Sequence, residues 1–315
     1  MNLANNTTMR VSQFTITGFD HLSNRKLLGC LILISYFLTL LGSGTNICLI
    51  LIDRRLHKPM YILICNLALV DIMFTTSAST TMISVLLAEM KTISYYSCIS
   101  RMYIYHLGDI TECLALTLMA VDRLIAISLP LRYHSILTNS RIFMLIANAW
   151  LIAICSMVPI ALTADNLPYC QPIIRYVFCD YPAMVRAACA DPEPSFVVST
   201  IIAMWLLAQL PFIFLTYVKI MFTVLKMPNK ESQGQMFRTC TSHVITVCSY
   251  YLPKLVSVLL TRVGLVLNLT ERNALLIVAT MVPTLINPVV YCLRTKEIRT
   301  RLLHMFSKVY VLPRE

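Results

Sequence analysis

The clearest shortage in this chain is charge. Asp, Glu, Lys and Arg make up only 13% of the 315 residues, while hydrophobic residues make up 57%. A soluble globular domain carries about 25% charged residues, and the mean hydropathy here is +0.72. This composition excludes an ordinary soluble domain and predicts a membrane protein. The length leaves no room for a large soluble domain beside a membrane bundle.

Glycine is also scarce, with 7 residues in the whole chain. A transporter would show inverted repeats and helices broken by glycine, and no such repeat is evident. The chain lacks the Gly-x-Ser-x-Gly motif, the His-Glu-x-x-His motif and any pair of aspartates in Gly-rich intramembrane motifs. We therefore expect a protein that is neither an enzyme nor a transporter and that has no catalytic residues.

Long apolar stretches are abundant. A membrane-spanning helix needs about 20 apolar residues, and seven stretches approach or exceed that length. The sequence therefore predicts an all-α membrane protein, a seven-transmembrane helix bundle. The third and sixth stretches are the least apolar, because they contain Asp109 and Glu112, and Lys254. The predicted spans are 27–52, 58–86, 98–128, 141–163, 196–224, 237–262 and 272–293.

The distribution of Lys and Arg predicts the orientation. With the N-terminus outside, most of these residues, including those in 54–58 and 123–141, fall on the inner side. We expect an extracellular tail at 1–26, a seven-transmembrane domain at 27–293 and a cytoplasmic tail at 294–315. Inner-loop charge facing an anionic leaflet explains the net charge of +11. Membrane lipid is therefore an expected partner and nucleic acid is not.

The two ends of the chain carry predictions of their own. The first 26 residues are polar and lack an apolar run, so no cleavable signal peptide is expected. Asn5 and Asn6 each open an Asn-x-Thr sequon in the outer tail, where glycosylation is expected. In the inner tail, Ile298, Leu302, Leu303 and Phe306 have helical spacing. This spacing predicts a short basic amphipathic helix on the membrane surface, with a frayed tail as the alternative.

Four of the 12 cysteines differ from the rest. Most cysteines lie within spans, where they behave as small apolar residues. Cys98 lies at the outer mouth of the third span, and Cys170, Cys179 and Cys189 lie in the long loop between the fourth and fifth spans. All four face the oxidising side in the predicted topology, so disulfides are expected. Four cysteines allow three pairings, and the sequence does not choose among them.

Short motifs follow one another in a definite order along the chain. In the first two spans, Asn46 follows Gly44, and Asp71 ends the sequence Leu67-Ala-Leu-Val-Asp71. The later motifs are Leu56-His-Lys-Pro-Met-Tyr61, Met119-Ala-Val-Asp-Arg-Leu-Ile-Ala-Ile127, Pro130-Leu-Arg-Tyr133, Thr239-Cys-Thr-Ser-His243 and Pro283-Thr-Leu-Ile-Asn-Pro-Val-Val-Tyr291. In this order they resemble the rhodopsin-like G-protein-coupled receptors, and within them the olfactory (odorant) receptors. The resemblance covers about residues 10–305.

The resemblance has departures. Val121 and Leu124 stand where the odorant receptors have tyrosines beside the Asp-Arg pair. The sixth span reads Ser249-Tyr-Tyr-Leu-Pro253 instead of the usual mammalian Phe-Tyr-Gly, which looks more like the odorant receptors of fish. An amine receptor would have Asp where this chain has Tyr105. A retinal-binding opsin would have a lysine within 272–293, and that range has none. Neither class fits this chain.

The resemblance implies an odorant receptor in the plasma membrane, with its N-terminus outside, in the cilia of olfactory sensory neurons. Such a receptor would bind a small odorant, here polar or water-soluble, in the outer half of the bundle. It would activate a heterotrimeric G protein of the stimulatory olfactory type and raise cyclic AMP. The alternative is a rhodopsin-like receptor for another small molecule or a peptide. The resemblance also implies disulfides between Cys98 and Cys179 and between Cys170 and Cys189.

An inner switch for G-protein coupling is implied by the same motifs. Asp122 would hold Arg123 in the inactive state, and Arg123 would turn to the G protein when the sixth span moves. The alternative is an ordinary interfacial ion pair. The hydroxyls of Tyr217 and Tyr291 would stabilise the opened state; the alternative is that these tyrosines only pack at the membrane interface. Asn287-Pro288 supplies a weakened helix turn near them. The coupling residues are Asp122, Arg123, Tyr217, His243, Asn287, Pro288 and Tyr291.

Two carboxylates, Asp71 and Glu112, lie about midway along spans two and three. Bare carboxylates in a low-dielectric interior repel each other, so they must share a proton or a cation. The resemblance implies a sodium pocket with Asn46 and Asn287 nearby, in which sodium is an allosteric modulator and no other cofactor is needed. The alternative is a hydrogen-bonded pair that holds one proton.

Polar residues in the outer halves of spans three and six are the ligand-binding candidates. A charge facing lipid is costly, so these side chains should point into the bundle. Cationic groups would bind a ligand carboxylate, and Asp109 would bind an amine or a hydroxyl. The alternatives are an internal salt bridge between Asp109 and Lys254, and a solvated loop position for Arg262. The candidates are Tyr105, His106, Asp109, Tyr251, Lys254 and Arg262.

Overall fold

The computed structural model describes residues 11–262 and 267–294, together with residues 298 and 300. Most of these residues are helical. The helices are α1 (Arg25–Ile52), α2 (Pro59–Leu86), α3 (Tyr95–Ser128), α4 (Tyr133–Ile136), α5 (Asn139–Asn166), α6 (Tyr181–Ala187), α7 (Glu193–Leu207), α8 (Gln209–Leu225), α9 (Lys230–Arg262) and α10 (Leu269–Arg294). The strands are β1 (Gln13–Ile16), β2 (Thr92–Ser94) and β3 (Ile173–Ile174).

All seven predicted spans are helical, with α7 and α8 forming the fifth. Five of the seven are long and apolar enough to cross a membrane, namely α1, α2, α5, the combined run Pro194–Leu225 and α10. A sixth is added if α3 is counted together with the segment Pro130–Ile136, which is bent by 113° relative to α3. Helices α3 and α9 are less apolar because they carry ionisable side chains within their length. The prediction of an all-α membrane fold is confirmed.

Local sequence explains where several helices begin. Helix α3 starts after Ser94, whose Oγ accepts a hydrogen bond from the Ser97 amide at 3.3 Å. Helix α10 starts with a reciprocal cap, since Asn268 Oδ1 accepts from the Glu271 amide at 2.8 Å and a Glu271 carboxylate oxygen accepts from the Asn268 amide at 3.0 Å. Helix α2 has proline at its first position, Pro59, where no backbone donor is needed.

Burial distinguishes the centre of the bundle from its lipid-facing surface. Helices α2 and α3 bury many side chains, including the polar Asp71 and Glu112. In contrast, Phe37 of α1, Phe143 of α5 and Phe214 of α8 are 59–65% exposed. Large exposed apolar side chains on long helices are expected where lipid tails replace water. The structure therefore places α2 and α3 inside a bundle whose outer surface is apolar.

A small sheet covers the end of the bundle that is predicted to face outside; this end is called the outer end below, and the opposite end the inner end. Strand β1 lies between β2, with which it is antiparallel, and β3, with which it is parallel. Phe14 and Ile16 of β1 are buried, which matches the two-residue period of a strand with one buried face. No strand was predicted in this polar segment, because four residues give too short a pattern to stand out.

The amphipathic helix predicted within 294–315 lies almost wholly outside the described residues. Ile298 is described and is fully buried against the inner part of the bundle. The candidate glycosylation sites Asn5 and Asn6 also lie outside the described residues, as does the side chain of Arg262.

Candidate ligand and coupling sites

The outer half of the bundle contains a cavity of about 540 Å³ between α3, α5, α6 and α7. His106 and Asp109 of α3 line it together with Tyr181 of α6 and with Ser199 and Thr200 of α7. The rest of the lining is mostly aliphatic. A few polar groups in an apolar cavity of this size are typical of small-molecule sites.

His106 is fixed by the loop that closes this cavity. Its Nε2 lies 2.9 Å from Asp180 Oδ1 and 3.3 Å from the backbone nitrogen of Tyr181. Asp180 directly follows Cys179, which is bonded to Cys98 at the outer end of α3. The disulfide therefore brings Asp180 to His106. Asp180 and Tyr181 were not among the predicted site residues, although their position next to a bridging cysteine was a usable signal.

Asp109 is held by the sixth span. Lys254 Nζ forms an ion pair with Asp109 Oδ1, and the Tyr250 hydroxyl donates to the Asp109 carbonyl oxygen at 2.9 Å and to Oδ1 at 3.1 Å. Lys254 also lies over the Tyr250 ring, 3.4 Å from its centroid. Of the two arrangements left open by the sequence, the structure shows the internal salt bridge. Tyr250 was not predicted.

Two further ligand candidates do not line this cavity. Tyr105 stacks on Phe74, with ring centroids 4.6 Å apart, and its hydroxyl lies 3.1 Å from Thr280 Oγ1. Tyr251 is buried, and its hydroxyl lies 3.1 Å from the sulfur of Cys113. Both tyrosines connect helices below or beside the cavity. Of the predicted candidates whose side chains are described, His106 and Asp109 lie in the cavity wall, and Lys254 is bound to Asp109.

The two midspan carboxylates are joined by one amide. Asn287 Nδ2 donates to Asp71 Oδ1 at 2.9 Å and to Glu112 Oε1 at 3.2 Å, and all three side chains are buried. Glu112 Oε2 and Asn287 Oδ1 are buried without a hydrogen-bond partner. Asn46 is nearby, bonded to the Pro288 carbonyl at 3.5 Å. Among the described residues, no cluster of three or more His, Cys, Asp or Glu is able to hold a metal ion.

The inner end of α3 carries a closed ion pair. Arg123 Nη2 lies 2.7 Å from Asp122 Oδ2, and the Tyr133 hydroxyl donates to Asp122 Oδ1 at 2.6 Å. Burial and the adjacent Asp122 carboxylate raise the pKa of Tyr133, so this hydroxyl keeps its proton and acts as the donor. Asp122 is buried and the Arg123 side chain is 12% exposed. In this arrangement the Arg123 guanidinium is held beside Asp122 on its own helix.

Three of the other coupling residues, Tyr217, His243 and Tyr291, lie towards the inner end of the bundle on α8, α9 and α10, whereas Asn287 lies at the midspan carboxylates. The Tyr217 hydroxyl bonds to His243 Nδ1, and the two rings stack with centroids 5.7 Å apart. His243 is buried, and its Nε2 has no hydrogen-bond partner. The buried Tyr291 hydroxyl contacts the Met119 sulfur at 3.8 Å. The fifth, sixth and seventh spans thus meet the third at its inner end.

The structure joins Cys98 to Cys179 and Cys170 to Cys189. The first bond ties the loop between the fourth and fifth spans to the top of α3. The second closes a shorter loop within the same segment. The other eight cysteines are free thiols, and all of them lie within helices. Both pairs therefore lie on the outer side of the bundle, beside the sheet and the cavity.

Comparison with known proteins decides the family. A family model described as olfactory receptor matches residues 30–309. The chain belongs to the olfactory receptor family. It is 34% identical over 304 residues to Olfactory receptor 10G4 of Homo sapiens, with 95% of this chain and 96% of that protein covered. It is 32% identical over 308 residues to Olfactory receptor 10D1B of Mus musculus, covering 96% of this chain and 97% of the relative.

Membership has direct consequences. Olfactory receptors are multi-pass membrane receptors that sense odorants and couple to G proteins, and they are not enzymes. This confirms the family resemblance found in the sequence motifs.

Proposed function

We propose that this olfactory receptor binds a small, polar or water-soluble odorant in the cavity between α3, α5, α6 and α7. The observation that carries this proposal is the cavity lining, in which His106, Asp109, Ser199 and Thr200 offer charge and hydrogen bonds among aliphatic neighbours. His106 and Asp109 are already paired with Asp180 and Lys254, and the Ser199 hydroxyl donates to the Phe196 carbonyl. An odorant must therefore add to these contacts or replace them. A polar odorant can do so, whereas a purely apolar odorant offers no hydrogen bonds.

The receptor activates a heterotrimeric G protein of the stimulatory olfactory type and raises cyclic AMP. The odorant acts by differential affinity, because a ligand shifts an equilibrium only by binding one state more tightly than the other. The receptor state that binds the odorant more tightly is the one in which α9 has moved away from α3. In that state Arg123 leaves Asp122 and contacts the G protein, while Tyr217, His243 and Tyr291 regroup around the opened crevice.

Sodium acts as an allosteric modulator at the midspan carboxylates. Two buried oxygens, Glu112 Oε2 and Asn287 Oδ1, have no hydrogen-bond partner, and they suit a hard cation that prefers oxygen ligands. Asp71 and Glu112 would hold the ion, and its charge would offset the repulsion between their carboxylates. Because the Asn287-Pro288 turn lies on α10, a bound ion ties α10 to α2 and α3 and favours the inactive state.

The receptor lies in the plasma membrane of olfactory sensory cilia, with its N-terminus outside. The disulfides support this orientation, because Cys98–Cys179 and Cys170–Cys189 lie at the end of the bundle that the proposal exposes to the oxidising side. Glycans on Asn5 and Asn6 are consistent with the same topology. Digestion with a glycosidase would shift the electrophoretic mobility of the wild-type chain but not of the Asn5→Gln, Asn6→Gln double variant.

The test is a cyclic AMP assay in cells that express the full chain with a stimulatory olfactory G protein. The panel contains amino acids, bile acids, short carboxylic acids, amines and neutral volatiles. We expect a ligand-dependent rise that Arg123→Ala abolishes at equal surface expression. Silence of the wild-type receptor at the cell surface towards the whole panel would contradict the proposed ligand class.

A further inference from the structure

Asp109 and Lys254 connect the two helices that must separate if α9 moves. Their ion pair links α3 to α9, and Tyr250 reinforces it by donating to Asp109 while its ring lies beneath the Lys254 ammonium. Three side chains therefore join the helices at one level. None of the family motifs found in the sequence includes Asp109 or Lys254.

The pair is reached from the odorant cavity. The side chains of Asp109 and Lys254 are 17% and 25% exposed, and Asp109 lines the cavity of about 540 Å³. An ion pair in a low-dielectric interior is strongly held, and removing one partner leaves the other charge buried without compensation. A solute in the cavity can thus compete for the pair, but only if its own charged groups take the place of each partner that it displaces.

Neighbouring charged groups have partners of their own, although one oxygen of Glu112, Oε2, has none. His106, one helical turn towards the outside, contacts Asp180. Glu112, nearly one turn towards the inside, is bridged to Asp71 by Asn287. Within the described part of the chain, the salt bridges of Asp109 and Lys254 are with each other alone.

We propose that Asp109 and Lys254 form an interhelical lock that holds α9 against α3 in the inactive receptor, and that a small zwitterion opens it. The zwitterion carries an ammonium and a carboxylate on the same carbon atom, as an α-amino acid does. Its ammonium pairs with Asp109 and its carboxylate with Lys254. A solute with one charge satisfies one partner and strands the other, so it opens the lock poorly.

The lock itself is tested without any ligand. Thermal unfolding of the purified full-length receptor is measured for Asp109→Asn, Lys254→Gln and the reciprocal double variant Asp109→Lys, Lys254→Asp. We expect each single variant to melt about 2–4 °C lower or more, and to raise basal G-protein activation about fivefold or more. The double variant should recover part of the melting temperature and part of the low basal activity. The control is Lys91→Gln, because its ion pair with Asp20 is on the surface and worth little.

Two results would overturn the lock. Either the single variants melt and signal like the wild type, or the single variants are impaired and the double variant is no better than they are. Asp109→Asn is close in shape to the wild-type side chain, so it keeps the test valid if the double variant folds poorly. Melting does not depend on G-protein coupling. A normal pattern of melting shifts with no cyclic AMP response would therefore refute the proposed function, on which the ligand part rests, and leave the lock in place.

The ligand class is tested with matched probes. Each of the 20 common amino acids is compared with the amine and the acid of the same side chain, for example leucine, 3-methylbutylamine and 4-methylpentanoic acid. We expect at least one amino acid to raise the melting temperature of the wild type, with its amine and acid about tenfold weaker or more. Asp109→Asn should remove this preference. An amine or acid that binds as well as its amino acid, or no binding by any amino acid, would overturn the assignment.

Discussion

The Tyr133 hydroxyl donates a 2.6 Å hydrogen bond to the same Asp122 carboxylate that pairs with Arg123 at 2.7 Å. The inner loop between the third and fourth spans, which contains α4, therefore helps to keep the Asp122–Arg123 pair closed. Asp122 has both oxygens engaged, one by a cation on its own helix and one by a phenol outside it. The state of the loop and the state of the switch are consequently coupled.

This coupling predicts the effect of Tyr133→Phe. The change removes a hydrogen bond to a charged group, which is worth about 1.5–3 kcal/mol, while it keeps the ring. We expect basal cyclic AMP to rise several-fold at equal surface expression, because Asp122 then holds Arg123 less firmly. Tyr96→Phe is the control, since Tyr96 is 77% exposed, and it should leave basal signalling unchanged. Wild-type basal activity in Tyr133→Phe would show that the loop does not bias the switch.

The two disulfides should differ in importance. Cys98–Cys179 spans 81 residues and ties the cavity loop to α3, whereas Cys170–Cys189 spans 19 residues within that loop. Loop-closure entropy favours the longer link by about 1 kcal/mol, and the position of Asp180 against His106 also depends on it. We expect Cys98→Ser, Cys179→Ser to lose most surface expression and the Cys170→Ser, Cys189→Ser pair to lose less. Cys30→Ser, an exposed free thiol, is the control, and equal losses for both pairs would contradict the ranking.

A third prediction concerns the close approach of Gly18 to the outer loop. A Cβ at this position would lie 2.7 Å from the Val177 backbone nitrogen, and main-chain atoms cannot swing aside. We expect Gly18→Ala to displace the segment after β1 and to lower the melting temperature by a few degrees. Gly44→Ala is the matched control, because nothing lies within 4 Å of its Cβ position. Similar melting of both variants would show that the outer sheet contributes little to stability.

The fourth prediction separates sodium from proton sharing at the midspan carboxylates. We expect the wild type to melt at a higher temperature in sodium chloride than in choline chloride of the same ionic strength. Glu112→Gln should abolish the difference, because it removes one of the two charged ligands. Asp165→Asn, which changes a carboxylate in the last turn of α5, should retain it. Equal melting of the wild type in both salts would indicate that the two carboxylates share a proton instead.

Much of the fold was predictable because it depends on local composition. Several spans follow the limits of the apolar stretches, and the helices α1, α2 and α10 begin and end within about three residues of the predicted bounds. The sixth span was predicted from residue 237, whereas α9 already begins at Lys230. The outer sheet was not predictable in this way. Strand β1 has four residues, and its pairing with β2 and β3 depends on loops that are distant in sequence.

The site was predictable only in part, because the rotation of each helix about its axis is a tertiary property. Successive helical residues point about 100° apart, so the neighbours Tyr250 and Tyr251 face different partners, Asp109 and Cys113. The same effect places His106 in the cavity wall and Tyr105 against Phe74. Spacing along one helix identifies a face but does not identify the helix that the face meets.

The amino-acid sequence by itself determined the membrane class, the seven spans and the family, because these depend on apolar length and on short motifs in order. The tertiary structure alone decided that Lys254 binds Asp109, that Asp180 meets His106 and that Tyr133 holds Asp122. Each of these contacts joins residues of different elements. Their distances are fixed by how the helices pack and by the disulfide at Cys98, neither of which is encoded in local periodicity.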